Sequence, residues 1–157
     1  MKRAFVFVLL ACVGGCNSNP VADSRFTTTF SIADTTGTPS TTFHPGESFD
    51  VSFAVTNRTG ATQTYHFTGV PVVFQILQAD SVLLTSVDGL VFPQVVLAGQ
   101  LGDGETYTAT WRAPNNAARV PTRELGVGGY QARVLHGCFF DHDALPPTSA
   151  IAFTVTQ

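Results

Sequence analysis

The densest set of chemically capable side chains in this chain is His136-Gly137-Cys138-Phe139-Phe140-Asp141-His142-Asp143. On an extended strand His136 and Cys138 share a face, and Asp141, His142 and Asp143 could fold back as further ligands. Nitrogen, sulfur and oxygen donors in that combination suit zinc or copper. The competing reading is structural. Tyr130, Ala132 and Val134 lie on the same parity, so Cys138 extends a core-facing row as a small buried hydrophobe. No second ligand pair stands at metal spacing, so no metal or other cofactor is expected.

A second reactive group is the thiol of Cys16. It closes a segment in which Lys2 and Arg3 form a basic start and Ala4 to Val13 an apolar run. Small residues then lead straight into the cysteine. That is the layout of an export signal, and Val13-Gly14-Gly15-Cys16 resembles a bacterial lipobox, whose cysteine becomes the lipidated first residue of the mature protein. The apolar run falls short of the roughly 20 residues that a spanning helix needs. The expected organisation is a signal peptide at 1–15, a polar tether at 16–25 and a folded domain at 26–157. The protein is then held on the outer side of a bacterial membrane by lipid at Cys16. Asn17, where an Asp would favour inner-membrane retention, favours the outer membrane in a Gram-negative cell.

Two arginines, Arg119 and Arg123, lie in the long connection from Ala113 to Gly128. An exposed loop arginine is what a trypsin-like pocket accepts, so these are the candidate partner-binding residues, although a solvated loop is the ordinary reading. Catalytic signatures are missing. There is no Gly-x-Ser-x-Gly elbow, phosphate loop, dinucleotide fingerprint or His-Glu-x-x-His. Asp88, Asp103 and Glu105 sit in glycine turns, where solvated acids are the norm. An enzyme is not expected. Asn57-Arg58-Thr59 matches a glycosylation acceptor, a signal that a bacterial lipoprotein would not use in the eukaryotic way.

Positioning such residues falls to a β framework. Thr, Val, Phe and Gly dominate after residue 25, with turn signals at short intervals, which is the pattern of an all-β sandwich or barrel. Phe49, Val51, Phe53 and Val55 alternate with Asp50, Ser52, Ala54 and Thr56. Tyr107, Ala109 and Trp111 alternate with threonines and Arg112, and Ile151, Phe153 and Val155 repeat the pattern. Each predicts a strand with one wet face. Val72 to Leu77 is apolar on both parities except at Gln75, which predicts a strand covered on both sides. Further strands are expected from Phe26 to Ile32 and over Tyr65–Thr68, Val82–Val87, Val91–Leu97 and Tyr130–His136. The segment from Asn115 to Leu125 has room for one helical turn, limited by Pro121. Phe43-His-Pro-Gly46-Glu47 followed by Phe49, Val51 and Phe53 is echoed by Leu101-Gly-Asp-Gly104-Glu105 followed by Tyr107, Ala109 and Trp111. Each predicts a glycine turn launching an alternating strand.

Composition narrows the function. The chain has 157 residues, and beyond residue 15 one domain is expected. Without Lys2 and Arg3, six arginines face eleven acids, a net charge of −5 with no lysine. That excludes a nucleic-acid surface and a polybasic membrane face. With Cys16 lipidated, Cys138 has no disulfide partner.

Ser52-Phe-Ala-Val-Thr-Asn57-Arg-Thr-Gly60, Tyr65-His-Phe67, Val72 to Leu77, Gly102-Asp-Gly104-Glu105-Thr106-Tyr107 leading to Trp111, and Gly128-Gly129-Tyr130-Gln-Ala-Arg together resemble the intracellular proteinase inhibitor family of the BsuPI type. The resemblance spans about residues 43–136. It implies an Ig-like antiparallel β-sandwich, of about 7–9 strands here, and a protein partner, with a protease as the specific candidate. The alternatives are a non-inhibitory structural or adaptor lipoprotein of the cell envelope and, further off, a metal-binding domain. The chain departs from the family in its central strand, where Ser81-Val-Leu-Leu-Thr-Ser-Val replaces a Trp or Tyr with Ser, and in its export signal.

Overall fold

Period-two alternation becomes strand wherever it was expected to be strongest. In the computed structural model, which describes residues 25–92, 94–114, 124–136, 139–140 and 145–157, eleven strands are present. They are β1 (Phe26–Asp34), β2 (Thr42–Phe43), β3 (Phe49–Asn57), β4 (Gln63–Thr68), β5 (Val72–Gln78), β6 (Ser81–Thr85), β7 (Val96–Leu101), β8 (Thr106–Ala113), β9 (Gly128–His136), β10 (Phe139–Phe140) and β11 (Ile151–Val155). β2 and β10 have two residues each, and the other nine have five or more.

The strands form an all-β sandwich. One sheet runs β1-β3-β8 and the facing sheet runs β2-β11-β9-β5-β6, while β10-β4-β7 makes a third, smaller sheet. With β1, β3 and β8 standing for strands A, B and E, and β11, β9, β5 and β6 for G, F, C and C′, this is an Ig-like order. Tyr130 supplies a second Ig-like sign. It lies near the start of β9, and its hydroxyl donates to Gly126 O, four residues upstream, at 2.8 Å, as in a tyrosine corner. Pairing is antiparallel except between β2 and β11, where Thr42 and Phe43 run parallel to Thr154 and Val155.

The core lies between the layers. Phe49, Val51, Phe53 and Val55 of β3 are at most 2% exposed, and each such burial contributes about 1.5–3 kcal/mol. Phe43, Phe49, Phe153 and Tyr130 form one aromatic cluster, with ring centroids 4.4 to 6.0 Å apart. Phe26, Phe140, Tyr65 and Tyr107 form another, which joins the third sheet to the first.

Two expectations are corrected. β5 is not fully covered on both faces: Val72, Phe74 and Ile76 are buried, Val73 and Gln75 only half-buried, and Leu77 alone is buried on the second parity. The strand expected over Val91–Leu97 starts at Val96 and ends at Leu101. Its apolar character does not come from burial, since Val91, Val95, Val96 and Leu97 are exposed. The physical reason is pairing: β7 joins β4 as an edge strand of the third sheet instead of entering the core.

The echoed segments are the same turn used twice. Glu47 N–H donates to His44 O at 3.0 Å, and Glu105 N–H to Gly102 O at 3.1 Å. Gly46 and Gly104 take φ of 78° and 77°, which the third position of a type II turn requires and glycine accepts without strain. The glutamate then reaches back to cap the first amide, His44 N at 2.7 Å and Gly102 N at 2.6 Å. These turns deliver the chain into β3 and β8, which pair antiparallel, so they sit at opposite ends of one two-stranded ribbon.

Candidate functional site

β8 is one of the two open edges of the first sheet, the other being β1. Among the described residues no strand pairs with the outer edge of β8. Among the described residues, the next strand after β6 is β7, which pairs with β4 and not with β8.

The connection after β6 is held in place by polar groups at its start. Ser86 N–H donates to Phe74 O (2.9 Å), while Ser86 Oγ accepts from Phe74 N–H (3.0 Å). Asp88 accepts from Thr85 N–H and Thr85 Oγ1 at 2.9 and 2.8 Å. At its far end Phe92 packs over Gly69. A Cβ at Gly69 would stand 3.2 Å from the Phe92 side chain, and Gly69 has φ of 76°, so a larger residue there meets both strain and crowding.

Between this wall and β8 runs a groove of about 490 Å³, lined by Val70, Pro71, Val72, Phe74, Ser86, Val87, Leu90 and the β8 residues from Tyr107 to Arg112 except Thr108. Its volume lies in the range of about 300–1,000 Å³ usual for binding sites. The only formal charge in the lining is Arg112, and that is paired. Its Nε and a terminal nitrogen donate to the two carboxylate oxygens of Asp50, both at 3.0 Å. This fork raises the Arg112 guanidinium above its usual range, the hydrogen bond contributing first and the Asp50 charge second.

Trp111 is the unusual member of the lining. It is 7% exposed, and its Nε1–H is, among the described residues, the buried side-chain polar atom with no hydrogen-bond partner. Leaving a buried donor unmet costs about 1–3 kcal/mol.

The β8 backbone offers more unmet groups. Asn57 N–H donates to Glu105 O at 3.0 Å, and Thr56 faces Thr106 in the register. Hydrogen-bonded and non-bonded pairs alternate along an antiparallel ladder. Tyr107, Ala109 and Trp111 therefore exchange their backbone bonds with β3. Thr108, Thr110 and Arg112 turn their N–H and C=O groups toward the free edge. Side chains approach more closely at non-bonded pairs, and the Thr110–Ser52 and Thr106–Thr56 hydroxyl contacts at 3.0 and 2.8 Å agree with this phase.

Few of the residues singled out from sequence fall on this groove. Cys16, Arg119, Arg123, Cys138, Asp141, His142 and Asp143 lie outside the described residues. His136 is half-buried and its ring stacks on Phe53, centroids 6.0 Å apart, so it continues the core-facing row of β9. No group of three or more His, Cys, Asp or Glu among the described residues is placed to hold a metal ion. Asp88, Asp103 and Glu105 are each engaged in a turn: Asp103 accepts from Gly60 N–H at 2.9 Å, and Glu105 and Asp88 act as given above. Asn57 is fully buried and its Nδ2 donates to Ala61 O and Leu101 O. The acceptor motif is therefore used for structure. No helix among the described residues is long and apolar enough to cross a membrane.

Trp111 itself was legible as a core-facing residue. Its missing acceptor and the uncovered β8 edge were not, because both depend on where the chain goes between β6 and β8. The one available signal was the pair of apolar runs Leu90-Val91-Phe92 and Val95-Val96-Leu97, neither of which alternates as a half-buried strand should. No protein-family model and no curated protein matches the chain.

Proposed function

We propose that this protein is a lipid-anchored binding module on the outer side of a bacterial membrane, which holds a protein partner in the groove along β8. The observation that carries the binding site is the combination of an open β8 edge, an apolar groove and a buried indole donor without an acceptor. The anchor rests on the lipobox pattern ending at Cys16. Dual or triple acylation there would hold the protein firmly, where a single chain would not. Protease inhibition is the narrower form that the resemblance to the BsuPI-type family implies. A structural or adaptor role in the envelope is the broader form, and the groove serves either.

A photo-crosslinking residue placed at Thr110 in the full-length protein, in cells, tests the site. It should capture a protein that the same residue at Thr29, on the outward face of β1, does not. Equal capture at both positions, or none at Thr110, sinks the groove as the partner site. Replacing Cys16 with Ser should move the protein out of the membrane fraction, and retention there would end the anchor reading. Incubation of the purified domain with a panel of serine proteases decides between the narrow and broad forms. Unchanged cleavage at micromolar domain leaves the adaptor.

A further inference from the structure

We infer that the groove takes its ligand as an added β-strand: an extended, uncharged segment of a partner protein, apolar at every second residue, lies along β8 and becomes the fourth strand of the sheet β1-β3-β8. This rests on the groove being the partner site and goes further by naming the form of the ligand.

Three features of the molecule select that form. Thr108, Thr110 and Arg112 present backbone donors and acceptors at a two-residue spacing, the spacing at which a neighbouring strand presents its own. The groove lies on the core side of this edge, lined by Val70, Pro71, Val87, Leu90 and Trp111. A strand laid on β8 would send alternate side chains into it and leave the others in solvent with Thr108 and Thr110. The charge also fits. Arg112 is already neutralised by Asp50, so no ionic partner is called for, and a charged residue driven into the groove would be desolvated without compensation.

β1, the other end of the same sheet, is nine residues long, but none of its residues lines the groove. Two further edges are short or interrupted. β6 is five residues long and its pairing with β5 is interrupted by a bulge, a device that discourages edge pairing. β2 has two residues. β7 is six residues long and uncharged, but none of its residues lines the groove beside β8.

Trp111 is the single tryptophan of the chain, so its fluorescence reports on the groove directly. The probe is a blocked octapeptide of alternating Val and Thr, compared with the same peptide N-methylated at every second residue. N-methylation removes one row of strand donors and leaves the side chains. Titration into the domain should shift the Trp111 emission with the parent peptide and bind the N-methylated peptide at least tenfold more weakly. Thr110→Pro should weaken the parent peptide to the same extent. It removes an edge-facing N–H while leaving the backbone bonds to β3, though it also loses the Thr110–Ser52 hydroxyl contact, and an edge strand tolerates proline there. Equal affinity of the two peptides for the unaltered domain overturns strand addition while leaving the groove as a binding site. No response to either peptide at millimolar concentration overturns it as well. A dimer in sedimentation that Thr110→Pro dissociates would also overturn it, because the occupant would then be a second copy.

Discussion

Asn57 and Trp111 are buried polar residues on the neighbouring strands β3 and β8, and their surroundings treat them in opposite ways. Asn57 is fully buried and every polar group it carries is used. Its Nδ2 donates to Ala61 O at 2.7 Å and Leu101 O at 2.8 Å, and its Oδ1 accepts from Thr59 N–H at 2.9 Å. Its backbone N–H donates to Glu105 O and its carbonyl accepts from Gly104 N–H. Trp111 Nε1 has nothing. Buried polar groups are normally paired, so the first residue is explained by the fold alone and the second is not. The contrast separates the part of the ribbon that holds the sandwich together from the part that faces a groove.

The largest effect expected from this contrast is at Asn57. Replacement by Ala removes three side-chain hydrogen bonds and strands the buried carbonyl of Leu101, and should cost about 3 kcal/mol. Chemical denaturation measures this, and a loss below about 1 kcal/mol would mean that water reaches the stranded groups. The opposite sign is expected at Trp111. Incorporating the sulfur isostere of tryptophan, which keeps the shape and lacks the N–H, should stabilise the unliganded domain by about 1–2 kcal/mol. A loss of stability would show that the indole already has an acceptor, and the contrast would fail.

Smaller effects test whether the two glycine turns are equivalent. Glu47→Gln and Glu105→Gln each weaken one charge-assisted cap, and each should lower stability by about 0.5–1 kcal/mol. A much larger loss at Glu105 would mean that the Asn57 network depends on its cap. The smallest effect is expected at Asp34, at the end of β1. Its carboxylate is held below the ordinary range, chiefly by the Thr36 hydroxyl and next by the Thr38 backbone N–H. A depressed folded-state value contributes stability above the unfolded value, and that contribution is lost as pH falls through the lower folded one. Thermal midpoints should therefore fall slightly more below about pH 4 in the unaltered protein than in Asp34→Asn.

Sequence patterning made most of this framework legible. Phe49 to Val55 and Tyr107 to Trp111 alternate because each strand has one wet face, and the Gly46 and Gly104 turns carry their own chemical signature. Asn57 was visible only as a motif, because its partners at Leu101 and Glu105 are more than forty positions away in the chain. β7 was displaced because apolar character alone does not say which sheet a strand joins. The groove was illegible for a related reason: it is a space left by a missing strand, and no residue encodes an absence.

The strand order also has a kinetic consequence. β11 comes last in sequence among the described strands, yet it lies between β2 and β9 in the five-stranded sheet. Thr42 finds its strand partner only at Thr154, and Phe49, already paired with Asp34, finds its second only at Ala113. Such distant pairings make folding slow, on the order of milliseconds to seconds, and here they postpone completion of the sheet until β11 is available. A chain ending before Ile151 should show no cooperative unfolding transition. Until β11 is in place, β2 has no partner strand and β9 is paired on one side only.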